Sequence, residues 1–142
     1  MEYAQLVIVA DSDVAHQAAQ VVDSYLKTLM IPDPVSARAY IAPDLEIIFT
    51  GGRRMHDPAE CAAFNASRYA WVKKHYERIE VMSGATQEQA IVYSLGTLFG
   101  AWPDQTPFKD NRYIDRYVVK NGLITHMSVW NDSAEIILTR SS

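Results

Sequence analysis

Between Arg78 and Trp130 the chain carries four successive runs rich in β-branched and aromatic residues: Arg78 to Ser83, Ala90 to Ala101, Tyr113 to Lys120 and Leu123 to Trp130. Gly84, Pro103-Asp104 and Asn121-Gly122 punctuate them. An Asn-Gly pair between two such runs is a strong hairpin signal, because both residues accept the positive φ of a tight type I′ turn. Strands joined this way pair antiparallel, whereas a parallel sheet would need a crossover of a dozen or more residues between each pair. No other feature constrains the fold as much.

The part before Arg78 is patterned differently. Asp11-Ser12-Asp13 offers capping oxygens, and Val14, Ala18, Val21, Val22, Tyr25 and Leu29 follow at helical spacing, which predicts a long amphipathic helix over residues 12–30. Ile31-Pro32-Asp33-Pro34 ends it, since proline cannot continue the ladder. A short second helix is expected over Val35 to Tyr40, then a turn at Pro43-Asp44 and a strand over Leu45 to Phe49. Gly51-Gly52-Arg53-Arg54 reads as a flexible loop. Asp57-Pro58-Ala59-Glu60 is a helix start, with a capping acid, proline at the first helical position and a glutamate reaching back. This third helix is expected to run to about His75, with Cys61, Phe64, Arg68, Trp71 and His75 sharing one face. Helices segregated from a hairpin-connected sheet argue α+β. At 142 residues, without repeats or a linker, the chain reads as one domain over 1–142.

Composition excludes several function classes. Cys61 is the only cysteine, so neither an intrachain disulfide nor a cysteine-based metal site is expected, and a reducing, cytoplasmic setting follows. Met1 to Ala10 is apolar but short and lacks a basic leader. It reads as a strand or helix extension over the core or a partner subunit, rather than a signal peptide or a membrane span. A net charge of −4 with interspersed signs argues against nucleic acid. No two histidines stand at metal-ligand spacing, and Gly51-Gly52 lacks the lysine context of a phosphate cradle, so no metal and no cofactor is expected.

Val21-Val22-Asp23-Ser24-Tyr25-Leu26, Ala42-Pro43-Asp44, Ile114-Asp115-Arg116-Tyr117 and Asn121-Gly122-Leu123-Ile124 running to Val129-Trp130 together resemble, in order and spacing, ketosteroid isomerases and SnoaL-like polyketide cyclases of the nuclear transport factor two-like (NTF2-like) superfamily. The resemblance spans residues 12–138. It implies a cone-like, strongly curved, mostly antiparallel sheet with about three helices closing one pocket for an apolar ligand, and a homodimer through the outer sheet face. It further implies either cofactor-free proton transfer on an apolar carbonyl compound, as in an isomerase, dehydratase or cyclase, or a non-catalytic binding or accessory role.

By the same resemblance Tyr25 and Asp115 would hold the oxygen on which charge develops, Asp115 as a protonated donor. That isomerase site is a standard example of a carboxylic acid kept neutral by an apolar environment. The alternatives are a core tyrosine and a solvated or ion-paired aspartate. The general base of the isomerases falls on Phe49 here and the acid of the cyclases near Val129, and neither side chain moves a proton. His56, before the third helix, is the candidate to fill the vacancy. Arg68, on the apolar face of that helix, would need Asp115, a backbone carbonyl or an anionic ligand as partner, unless its head reaches water. Ile47, Phe49, Phe64, Trp71, Met127, Val129 and Asn131 are expected to line the pocket, with Trp102 and Phe108 as a lid or a dimer edge. His16 and His126 are expected to point away from it.

Overall fold

The computed structural model describes residues 5–8 and 12–141. Its elements are β1 (Gln5–Ile8), α1 (Asp13–Met30), α2 (Pro34–Ala37), β2 (Ile41–Ile48), β3 (Arg54–Met55), α3 (Pro58–Arg68), β4 (Trp71–Ser83), β5 (Gln89–Ala101), β6 (Pro107–Lys120), β7 (Leu123–Asn131) and α4 (Ser133–Ser141). The fold is α+β with one mixed, mostly antiparallel sheet of order β1-β4-β5-β6-β7-β2-β3. Its parallel pairs are β1 with β4 and β2 with β7. Gln5–Ile8 of the opening segment therefore form an edge strand, and the rest of Met1 to Ala10 lies outside the described residues.

Local chemistry accounts for most of these elements. The Ser12 hydroxyl accepts from the Ala15 amide at 3.2 Å and caps α1, which buries Ala15, Ala18, Ala19, Val22, Tyr25 and Leu26 against the sheet. Each large apolar side chain buried this way contributes about 1.5–3 kcal/mol. Asp57 caps α3 by accepting from the Ala59 amide at 2.7 Å, with Pro58 at the first helical position. That bond first, and the Arg38 guanidinium second, hold the Asp57 carboxyl below the usual range. Asn121 and Gly122 take positive φ at the β6–β7 turn.

Three expectations are corrected. The third helix ends at Arg68 rather than near His75: Tyr69 turns extended, and the Ala70 amide bonds the Ala101 carbonyl at 2.8 Å, starting a thirteen-residue strand alongside β5. Trp71 and His75 thus lie on β4, where pairing with a long neighbouring strand outcompetes a continuing helix. The sheet is not a strongly curled cone: register shifts interrupt β2–β7, β4–β5, β5–β6 and β6–β7 at one place each, and such isolated irregularities act only locally on the strand that carries them. Finally, α4 adds a helix that the sequence pattern did not announce.

Candidate functional site

The chemistry converges on the face of β4, β5, β6 and β7 that lies beneath α3. On β6, Tyr113, Asp115 and Tyr117 alternate onto one face and stand in register with Asn131, Val129 and Met127 on β7. All six border a cavity of about 260 Å³ that also touches Met30, Phe49, Cys61, Tyr69, Lys74 and Leu98. Strand periodicity builds this wall, since every second side chain points the same way. Gly96 on β5 makes room for it: a Cβ there would meet the His75 carbonyl oxygen at 2.1 Å and the Tyr113 ring at 3.0 Å.

Lys74 is the cation of this cavity. Its ammonium is ion-paired with Asp115 Oδ2 and lies 4.4 Å from the centre of the Tyr113 ring. Tyr117 donates to the same Oδ2 at 3.2 Å, and the Ser94 and Tyr113 hydroxyls are bonded at 3.0 Å. The Asp115 side chain is 1% exposed and that of Lys74 15%, so the aspartate lies behind the lysine as seen from the cavity. Asp115 Oδ1 is buried without a hydrogen-bond partner. Asp115 therefore accepts two donors here and positions Lys74, a different arrangement from the donor role implied by the resemblance.

Two neighbouring groups are held neutral. Burial pushes the Tyr25 hydroxyl far above its ordinary range; an ionised Cys61 would raise it further, and the charges of Asp115 and Asp57 add to the shift. Burial, and then Glu60 and Asp57, raise the Cys61 thiol to about 12, with Lys74 opposing the shift. The thiol contacts Met55 Sδ at 3.4 Å. Neither group supplies an anionic nucleophile at neutral pH.

The structure distributes the sequence-derived candidates unevenly. Asp115, Phe49, Trp71, Met127, Val129 and Asn131 border the cavity. Tyr25 and Ile47 are core residues outside its lining. The Tyr25 ring packs edge-on to Tyr117 at 6.2 Å, and its hydroxyl has no partner. Phe64 stands one layer back, its ring 5.3 Å from that of Phe49. Arg68 is also outside the lining and does not reach Asp115, which is taken by Lys74. His56 is exposed, with Nδ1 3.1 Å from the Leu45 carbonyl oxygen, and does not border the cavity. His16 and His126 are exposed. Trp102 and Phe108 stack at 4.3 Å, and Tyr69, which borders the cavity, stacks on Trp102 at 5.7 Å.

Sequence reasoning missed Lys74, Tyr113 and Tyr117. The usable signal lay in Tyr69-Ala70-Trp71-Val72, whose aromatic and β-branched bias fits a strand. Starting the strand there puts Val72, Lys74 and Tyr76 on one face. Among the described residues, no three His, Cys, Asp or Glu side chains gather closely enough to hold a metal ion, and no helix is long and apolar enough to cross a membrane.

The architecture is the NTF2-like fold. An NTF2-like protein of unknown function from Burkholderia pseudomallei superposes with a TM-score of 0.68 at 18% identity, over 86% of this chain and 95% of that one. A putative SnoaL-like polyketide cyclase from Jannaschia sp. matches at 0.67 and 14%, over 90% and 94%. A putative ketosteroid isomerase from Shewanella frigidimarina matches at 0.64 and 16%, over 87% and 99%. At these identities the likeness establishes the fold alone. No protein-family model matches the chain, and no curated protein does.

Proposed function

We propose that this protein is a small-molecule enzyme that handles an apolar carbonyl compound by proton transfer without a cofactor, in the manner of an isomerase, dehydratase or cyclase. One observation carries the reading: a lysine ammonium, held in place by a buried aspartate, faces a mostly apolar cavity of about 260 Å³. A carbonyl oxygen placed against Lys74 gains a hydrogen bond that strengthens as negative charge develops on it. The low-dielectric walls of Phe49, Met127 and Val129 raise the value of that bond. Asp115 keeps the ammonium aimed, and Asn131 and Tyr113 supply further polar contacts at the same wall.

A second reading has its own support. Phe49 and Val129, at the positions where the resemblance places proton-moving acids, are apolar walls of the cavity, and His56 lies outside it. A binding protein that holds its ligand without turnover fits those facts. Solvent-deuterium incorporation into a panel of cyclic ketones and enones, with Lys74→Met and Asp115→Asn alongside, separates the two. The enzyme reading expects exchange that both substitutions reduce by about a hundredfold or more. Binding without exchange selects the second reading, and undiminished exchange in both variants removes the site assignment.

We also propose a cytoplasmic homodimer through the sheet face opposite α1. There Ile91, Tyr93, Leu95 and Phe99 alternate with the buried residues of β5, and Trp130 is 51% exposed. Trp130→Glu should then shift the sedimentation coefficient from dimer to monomer.

A further inference from the structure

We propose that Arg53 and Arg68 form an oxyanion-binding site around the Phe64 ring, outside the cavity, that takes the carboxylate or phosphate group of a small molecule. Both guanidinium groups converge on that ring: the Arg53 carbon lies 4.5 Å from its centroid and the Arg68 carbon 5.0 Å. Arg68 also lies 5.5 Å from the Tyr69 ring centre. In a chain of net charge −4, most arginines find an acid: Arg38 pairs with Asp57, Arg54 with Glu46, Arg78 with Glu80, Arg112 with Asp132 and Arg140 with Asp104. Among the described residues, neither Arg53 nor Arg68 has a carboxylate within 4.0 Å.

Arg68 had three candidate partners on sequence grounds. Asp115 is occupied by Lys74. No backbone carbonyl takes its place, for Arg68 Nη1 is buried without any hydrogen-bond partner. Water can serve the exposed part of this half-buried side chain, but for the buried Nη1 an anionic ligand is the partner left. The guanidinium is partly desolvated by two aromatic rings and left without a compensating charge, and a second positive charge is held against the same ring. Cation–π contact offsets part of the desolvation but none of the mutual repulsion. An oxyanion bridging the two groups relieves both, and the planar guanidinium fork suits the two oxygens of a carboxylate or phosphate.

The surrounding geometry permits this. Arg53 is exposed and follows Gly51 and Gly52, both at positive φ, while Phe49 and Arg53 are joined by an amide-to-carbonyl bond of 2.7 Å. That bond anchors the loop at its ends, and the exposed Arg53 head stays open to a ligand from solvent. Arg68 is fixed by the last turn of α3.

The test is a titration of the 15N-labelled protein with sodium phosphate, sodium acetate or sodium chloride at constant ionic strength, following the arginine Nε–Hε signals. The site predicts saturable shifts of the Arg53 and Arg68 signals with phosphate, acetate or both, and none with chloride. Response to phosphate alone identifies a phosphate-bearing ligand, and response to acetate a carboxylate. Arg53→Gln should weaken the same Kd by about tenfold or more, and Arg53→Lys, which keeps the charge but loses the fork, should weaken it less. Equal shifts with chloride, no saturable shift with either oxyanion, or an unchanged Kd in Arg53→Gln would overturn the proposal. The wild-type titration reads both arginines directly, so a variant that fails to fold leaves the test intact.

Discussion

Strand β6 contributes to two ion pairs on its opposite faces, and they have little in common beyond their chemistry. Asp115 faces inward and meets Lys74 with 1% and 15% of the two side chains exposed. Three residues away, Arg112 faces outward and meets Asp132 at 2.7 Å, with 83% and 34% exposed. The inner pair is screened little by water and salt, so each charge depends on the other. In the outer pair each charge is already well solvated and the attraction is mostly spent against side-chain entropy. The strand's alternation therefore divides its charges into an inner pair that depends on being matched and an outer pair that does not.

The sharpest test of that division is Lys74→Met. Leaving Asp115 buried and uncompensated should cost about 3–5 kcal/mol in urea unfolding. Combining it with Asp115→Leu should recover most of the loss, because the penalty belongs to the orphaned charge. A single-variant loss below about 1 kcal/mol would mean the inner pair behaves like the outer one.

Cys61 reports the same desolvation. With its thiol raised to about 12, the thiolate fraction at pH 8 is about a thousandfold below that of a free thiol. Labelling by iodoacetamide should be very slow in the native protein and fast in urea, and equal rates would erase the contrast.

Tyr25→Phe separates burial from pairing. Tyr25 is fully buried, yet its hydroxyl has no partner, so its removal should change stability by no more than about 1 kcal/mol in either direction. A loss above about 2 kcal/mol would place this hydroxyl inside the polar network instead.

Arg112→Ala should give the smallest change, barely separable from wild type in urea unfolding. Its pH dependence has a defined sign. The Arg112 hydrogen bond holds the Asp132 carboxyl below the usual range, so the pair's contribution is present above the ordinary carboxylate range and lost as pH falls through the depressed value. Wild type and variant should differ slightly at pH 6 and converge in acid unfolding scans near about pH 2.

Elements with strong local signals were legible in the sequence. The cap at Ser12, the helix start at Asp57-Pro58, the Asn121-Gly122 turn and the alternation of the last three strands all reappear, although β6 starts at Pro107 rather than Tyr113. The region 69–77 was not legible. Cys61, Phe64 and Arg68 continue onto Trp71 and His75 at helical spacing, and local periodicity has no means of sensing that Ala70 will bond Ala101, thirty-one residues ahead. Misreading that junction hid Lys74, the residue on which the proposed chemistry rests.

Sequence alone determined the α+β class, the order of the helices and strands from α1 to β7 apart from the two-residue β3, and which residues of β6 and β7 share a face. Those properties follow from capping chemistry and from the two-residue and 3.6-residue periods of the backbone. Only the tertiary structure decided that Asp115 meets Lys74 rather than Arg68, that Tyr25 and His56 lie off the cavity, and that Arg53 joins Arg68 at Phe64. The physical reason is that a charge's partner is chosen by distance in space across strands and helices far apart in the chain, and spacing along the chain carries almost no information about that distance.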